Sequence, residues 1–252
     1  MAEHVIPRRN FLKAAGAAGT AAAAALAPSL TTPAAAAEAQ AHRSGAPHPA
    51  QRHHASAPQP RAEAPLVLTA TEAAFLGAAV DTLIPADELS PSGSDCGLVT
   101  YIDRQLASDW GGGARMYRMG PFHPGKPEQG YQLSLTPREY FAAGIAAANE
   151  WTQKTYGKEF DRLTAEQRIA ALTAMEEGKA EFAGFNAKAF FGRLHEMTLE
   201  GFFADPMYGG NRDKVGWKLL GFPGLPATYA GEIDAYRNKR YAAPPQSIAD
   251  FS

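Results

Sequence analysis

Residues 202–224 read Phe-Phe-Ala-Asp-Pro-Met-Tyr-Gly-Gly-Asn-Arg-Asp-Lys-Val-Gly-Trp-Lys-Leu-Leu-Gly-Phe-Pro-Gly and bring aromatic rings, glycines and charges together in one stretch. Asp205-Pro206 and Gly209-Gly210 favour turns, and the stretch has no sustained helical or strand period. We therefore predict an irregular segment that fits no regular helix or strand. Tyrosine, tryptophan and arginine dominate binding hot spots, so the stretch is a candidate contact surface. The alternative is an internally packed loop whose aromatic side chains cover the helices.

Helical periodicity dominates the chain ahead of this stretch. Apolar residues recur at helical spacing over 186–201, and this predicted helix leads directly into the irregular segment. Four earlier helices are predicted by the same criterion: 70–84, 96–109, one from Pro137 to Gly157, and one that opens at 163–167 and ends before Gly178. Since no run alternates apolar and polar residues long enough to predict a strand, we expect an all-α fold.

Helix start signals support these assignments. Thr69 with Glu72 and Thr136 with Glu139 have the spacing of capping boxes, in which the threonine hydroxyl accepts from an early helix amide and the glutamate reaches back. We therefore predict a single irregular helical domain with long loops over residues 66–224. A C-terminal tail, 225–252, is expected to lie along a surface.

The first residues of the chain predict export. Residues 7–13, Pro-Arg-Arg-Asn-Phe-Leu-Lys, resemble a twin-arginine signal, with Pro7 in place of the usual Ser or Thr. The apolar run behind them, 14–27, is shorter than the roughly 20 residues that a membrane-spanning helix needs. We predict a signal peptide over 1–39, with cleavage after Ala37 or Ala39. The export residues are Arg8, Arg9, Phe11 and Leu12. A disordered Ala-rich leader is the alternative.

Residues 40–65 lack the periodic apolar positions that could contribute to a core, and His, Pro and Ala recur among them. We expect a flexible, disordered linker there. His53 and His54 could bind a transition metal weakly, although solvated linker residues are the simpler interpretation.

Composition excludes several functions. A net charge of -2 gives no electrostatic reason to expect nucleic acid as a partner. Cys96 is the only cysteine, so an intrachain disulfide, a Cys-x-x-Cys-His haem attachment and a cysteine zinc site cannot form. Cys96 itself is either a thiol activated by a helix N-terminus or a small packing residue. His195-Glu196 lacks the second histidine of a zinc protease, because residue 199 is Leu.

No catalytic motif emerges either. The glycines at 209 and 210 do not form a dinucleotide-binding or phosphate-binding pattern. We therefore predict no catalytic, cofactor-binding or metal-binding residues in this chain. Five glutamates leave open a carboxylate-based hydrolase, although helical spacing makes a solvated face the simpler interpretation: Glu176, Glu177, Glu181, Glu196 and Glu200.

The run from Gly201 to Asp213, continued by 216–218 and 221–224, resembles the signature of the gluconate 2-dehydrogenase subunit 3 family. We call residues 201–224 the signature segment. Residues 68–72, 81–85 and 101–103 are similar to the first half of the same family. The family's subunits characteristically carry a twin-arginine signal, which agrees with Arg8 and Arg9.

The resemblance implies a small, non-catalytic subunit in a three-part, membrane-associated periplasmic enzyme. A large FAD-dependent subunit of the glucose-methanol-choline class would oxidise a sugar or sugar acid, and a multihaem cytochrome c subunit would pass on the electrons. This chain would hold no cofactor and would escort the flavin subunit through the twin-arginine translocase. The alternatives are a self-sufficient periplasmic enzyme and a structural or ligand-binding module.

The residue types of the signature segment make it the expected partner interface. We expect eight of its side chains to contact the flavin subunit: Phe203, Asp205, Tyr208, Asn211, Arg212, Asp213, Trp217 and Phe222.

Overall fold

A computed structural model describes residues 64–123, 125–126, 133–225 and 228–251, all within one compact unit, Gln59–Ser252. The regular secondary structure of these residues is helical, which confirms the predicted all-α class. They contain six α-helices: α1 Ala70–Leu83, α2 Leu98–Ala107, α3 Pro137–Tyr156, α4 Ala165–Glu176, α5 Ala187–Phe203 and α6 Val215–Leu220. Short 3₁₀ turns lie at Phe160–Arg162, Pro206–Tyr208, Arg212–Lys214 and Ile248–Phe251.

The predicted signal peptide, 1–39, lies outside the described residues, as do residues 40–63 of the predicted linker. Arg8, Arg9, Phe11 and Leu12 therefore remain predicted export residues. Among the residues that the structure does describe, no helix combines the length and the apolar character needed to span a bilayer.

Both predicted capping boxes form. The Thr136 hydroxyl accepts from the Glu139 amide, and the Glu139 carboxylate accepts from the Thr136 amide at 2.7 Å. Thr69 and Glu72 make the same pair of contacts at the start of α1. A third box, Thr164 with Gln167, begins α4. These local bonds satisfy helix amides that have no partner within the helix, which explains why the helix starts followed from sequence.

The core centres on Phe190 of α5, which is fully buried. Its ring lies 5.9–6.5 Å from five other aromatic rings: Phe75, Tyr140, Phe141, Phe182 and Phe185. Gly144 of α3 makes this packing possible, because a Cβ there would lie only 2.2 Å from Phe190 Cδ2. The two longest helices of the described chain therefore approach closely along one face.

The prediction that residues 202–224 contain no regular helix is wrong at two places, since α5 extends to Phe203 and α6 covers Val215–Leu220. Gly216 and Trp217 are buried, and a Cβ on Gly216 would lie 2.2 Å from the Phe202 carbonyl oxygen. Gly221, at a φ of 67°, ends the helix. A helix of six residues is too short to show a period, and contacts with α5 stabilise it instead.

The C-terminal tail is hydrogen-bonded to the end of the signature segment. The Leu225 amide donates to the Gln246 carbonyl, and the Gln246 amide donates to the Pro223 carbonyl, both at 2.9 Å. These bonds form an isolated parallel bridge between Gly224 and Gln246. The last turn, Ile248–Phe251, then packs against the turn Pro206–Tyr208.

Candidate partner interface

The buried Asn211 side chain links two parts of the signature segment by hydrogen bonds. Its side-chain amide donates to the Ala204 carbonyl, and its Oδ1 accepts from the Gly216 amide, both at 2.8 Å. The residue has no exposed surface and adopts a φ of 44°, a left-handed conformation that asparagine tolerates better than most residues. Asn211 was predicted as an interface residue, but all its described contacts are internal.

Trp217 is also an internal residue of this segment. It is 6% exposed, and its indole N–H donates to the Phe203 carbonyl at 2.8 Å. The Phe222 ring meets the indole edge-on at 5.3 Å. Trp217 thus ties the end of α5 to α6, and it positions Phe222, which remains 44% exposed.

Arg212 fastens the segment to the start of α2. Its backbone amide donates to the Cys96 carbonyl at 3.0 Å, and its guanidinium donates to the Asp95 carbonyl at 2.9 Å. Gly97, at a φ of 85°, lies so near that a Cβ would stand 2.2 Å from the Gly209 carbonyl oxygen. Cys96 is buried at this junction, which favours the packing interpretation over a reactive thiol.

Asp205 connects the segment to the C-terminal tail. One carboxylate oxygen accepts from the Met207 amide at 3.0 Å and begins the turn Pro206–Tyr208. The other accepts from the Ile248 amide at 2.9 Å. Close by, Asp250 accepts from the Lys214 ammonium and from the Ser247 amide. Two carboxylates therefore hold the last turn of the described chain against the signature segment.

The hydrogen bond from Lys214, followed by the one from the Ser247 amide, holds the pKa of Asp250 below its usual range. A carboxyl whose folded-state pKa is depressed stabilises the fold above its unfolded pKa of about 4, and that contribution is lost as the pH falls through the folded value. We expect Asp250→Asn to lower the melting temperature at neutral pH and to lower it less at pH 3. Circular dichroism melts at both pH values measure this difference.

Asp234→Asn is the matched control for this prediction. Asp234 also pairs with a basic side chain, Arg237, but its own side chain is 91% exposed, and exposed pairs contribute little. A melting temperature that is lowered equally at both pH values by Asp250→Asn would contradict the proposed role of the carboxylate charge.

The remaining predicted interface residues lie at the surface. Tyr208 is 46% exposed and Phe203 38% exposed, while Arg212 and Asp213 are also exposed. Four further apolar side chains, in the segment and in the last turn of the described chain, are exposed and were not predicted: Met207, Leu220, Ile248 and Phe251. Met207 and Leu220 belong to the signature segment itself, but only folding brings the last turn, some forty residues further along, against it.

His195 and Glu196, considered for a zinc site, contact side chains of their own helix. His195 stacks on Phe191 at 5.9 Å, and Glu196 pairs with Arg193 on the surface. Burial, followed by the charge of Glu196, raises the pKa of Glu200. Among the described residues, no group of three His, Cys, Asp or Glu side chains is placed to hold a metal ion.

Fold and site together define a small helical domain that displays an internally braced, aromatic-rich loop. The family model for gluconate 2-dehydrogenase subunit 3 matches residues 70–224, which is more than half of the chain. The chain belongs to this family. No curated protein and no solved structure matches it.

Proposed function

We propose that this chain is the small accessory subunit of a periplasmic, membrane-associated FAD-dependent dehydrogenase for a sugar or sugar acid. It binds the large flavin subunit, stabilises it and escorts it through the twin-arginine route. In this assembly FAD belongs to the large subunit, and haem c belongs to a third, cytochrome subunit. The observation that carries the proposal is the family match over residues 70–224.

The geometry of the signature segment supports a contact role. Its polar side chains brace the loop, since Asn211 and Trp217 bond to backbone groups within the segment and Arg212 bonds to a backbone group at the start of α2. A loop fixed in this way loses little conformational entropy when it binds. The same bracing leaves Tyr208 and Phe222 partly exposed, and aromatic side chains on a rigid support are typical binding hot spots.

We expect the double variant Tyr208→Ala/Phe222→Ala to lose the flavin subunit. Hot-spot truncations cost about 2 kcal/mol or more each, so affinity should fall by about a thousandfold if the two losses add. The measurement is co-purification of the flavin subunit with the tagged chain, followed by an absorption spectrum for flavin and haem. Because both side chains are substantially exposed, the variant should keep its helical circular dichroism spectrum.

The matched control is Tyr117→Ala/Phe122→Ala, a tyrosine and a phenylalanine of another loop that are 74% and 38% exposed. This control should recover the flavin subunit like the wild type. If a folded Tyr208→Ala/Phe222→Ala variant recovered the flavin subunit fully, the interface would lie elsewhere on the chain. A wild-type chain that purifies without any flavoprotein, or that is active alone, would overturn the accessory-subunit proposal itself.

A further inference from the structure

A cavity of 420 Å³ opens where the C-terminal tail folds against the end of the signature segment. Three tyrosine rings line it: Tyr229, Tyr236 and Tyr241. Tyr241 stands edge-on to both of the others, with ring centroids 4.7 Å from Tyr236 and 5.5 Å from Tyr229. The Tyr229 hydroxyl donates to the Gly224 carbonyl at 2.8 Å, which fixes one wall of the cavity to the signature segment.

One acidic and one basic side chain line this cavity, and they form no ion pair with each other. Glu232 lines it, and its carboxylate makes no ion pair or hydrogen bond with any residue that the structure describes. Lys239 also lines the cavity, but its ammonium is directed at the Ala235 carbonyl of its own turn, at 3.3 Å. Burial, followed by the Glu232 charge, raises the pKa of Tyr241.

We propose that this cavity binds an organic cation, an alkylammonium or guanidinium group, between the tyrosine rings and the Glu232 carboxylate. Aromatic faces carry negative electrostatic potential and attract such cations, and tyrosine is one of the residues that forms these contacts. A carboxylate beside the rings adds a charge-assisted partner. A neutral or anionic ligand of the same size would leave the Glu232 carboxylate without a direct ion-pair partner.

The same chemistry has two sources. A small quaternary ammonium compound could enter the cavity alone, or a lysine or arginine side chain of another protein could insert its head group. Either cation could contact both the carboxylate and the rings. Comparing the affinities of a small-molecule probe and a side-chain probe distinguishes the two sources.

The experiment is a nuclear magnetic resonance titration of the full chain, observing its tyrosine ring signals. The probes are choline, N-acetylarginine amide, and 3,3-dimethylbutan-1-ol, which has the shape of choline without its charge. We expect at least one of the two cations to bind roughly tenfold more tightly than the neutral alcohol. Tighter binding by choline indicates a small-molecule ligand, and tighter binding by the arginine probe indicates a protein side chain.

Glu232→Gln should remove the preference for the cation, and Tyr236→Ala should weaken the cation at least severalfold, whereas Tyr117→Ala, outside the cavity, should change neither. Equal affinity of wild-type protein for choline, the arginine probe and the neutral alcohol would overturn the proposal, as would no binding of either cation. These comparisons on the wild type do not depend on the folding of any variant.

Discussion

Replacing both Arg8 and Arg9 with lysine is expected to leave the dehydrogenase activity of the flavin subunit in the cytoplasm, with only a small fraction reaching the periplasm. Lysine keeps the positive charge but lacks the planar guanidinium with its five donors, so the variant tests recognition of arginine rather than of charge. The measurement is dehydrogenase activity and flavin content in separated periplasmic and cytoplasmic fractions of cells that express the whole complex.

The control for this experiment is Arg52→Lys/Arg61→Lys, which makes the same exchange in the predicted linker and should leave export unchanged. Co-purification from the cytoplasmic fraction separates the two parts of the proposed function. A flavin subunit retained in the cytoplasm but still bound to the Arg8→Lys/Arg9→Lys chain shows that binding is independent of export. Normal periplasmic activity from that variant would contradict the escort role.

The parts of the fold that followed from sequence are those with a local cause. A capping box joins residues three positions apart, and the apolar period of a helix repeats within a few turns. Thr69 and Thr136 accordingly begin their helices where predicted. The predicted helix 96–109 is longer than α2, Leu98–Ala107, because Gly97 adopts a left-handed conformation at one end and Ser108 is extended at the other, and no local pattern indicated either.

The roles inside the signature segment could not be predicted, because distant contacts decide them. Asparagine, arginine and tryptophan side chains can either contact a partner or form internal hydrogen bonds to the backbone. The sequence does not show which backbone groups need such a hydrogen-bond partner. Asn211 is buried only because Ala204 and Gly216 present a free carbonyl and a free amide to it. Likewise, the contact between Asp205 and the Ile248 amide spans 43 positions.

Asn211→Ala is expected to lower the free energy of unfolding by about 3 kcal/mol, since it leaves two buried backbone groups unsatisfied at about 1–3 kcal/mol each. The left-handed φ of 44° adds to this loss, because alanine tolerates that conformation poorly. Urea denaturation measures the total. Loss of the two Asn211 hydrogen bonds should also disorder the turn that carries Tyr208, so the variant should recover less flavin subunit although Asn211 itself is buried.

Two further variants separate the effect of the lost hydrogen bonds from that of the left-handed backbone. Asn211→Gly removes the same side chain but tolerates a positive φ, so it should be about 1 kcal/mol more stable than Asn211→Ala. Asn186→Ala removes an exposed asparagine that accepts only from the Ala189 amide at the start of α5, and loss of such a cap costs about 1 kcal/mol. If Asn211→Ala lowered the free energy of unfolding no more than Asn186→Ala does, the Asn211 hydrogen bonds would contribute no more than an ordinary helix cap. The signature asparagine would then have to act at the surface, in a conformation in which the segment opens.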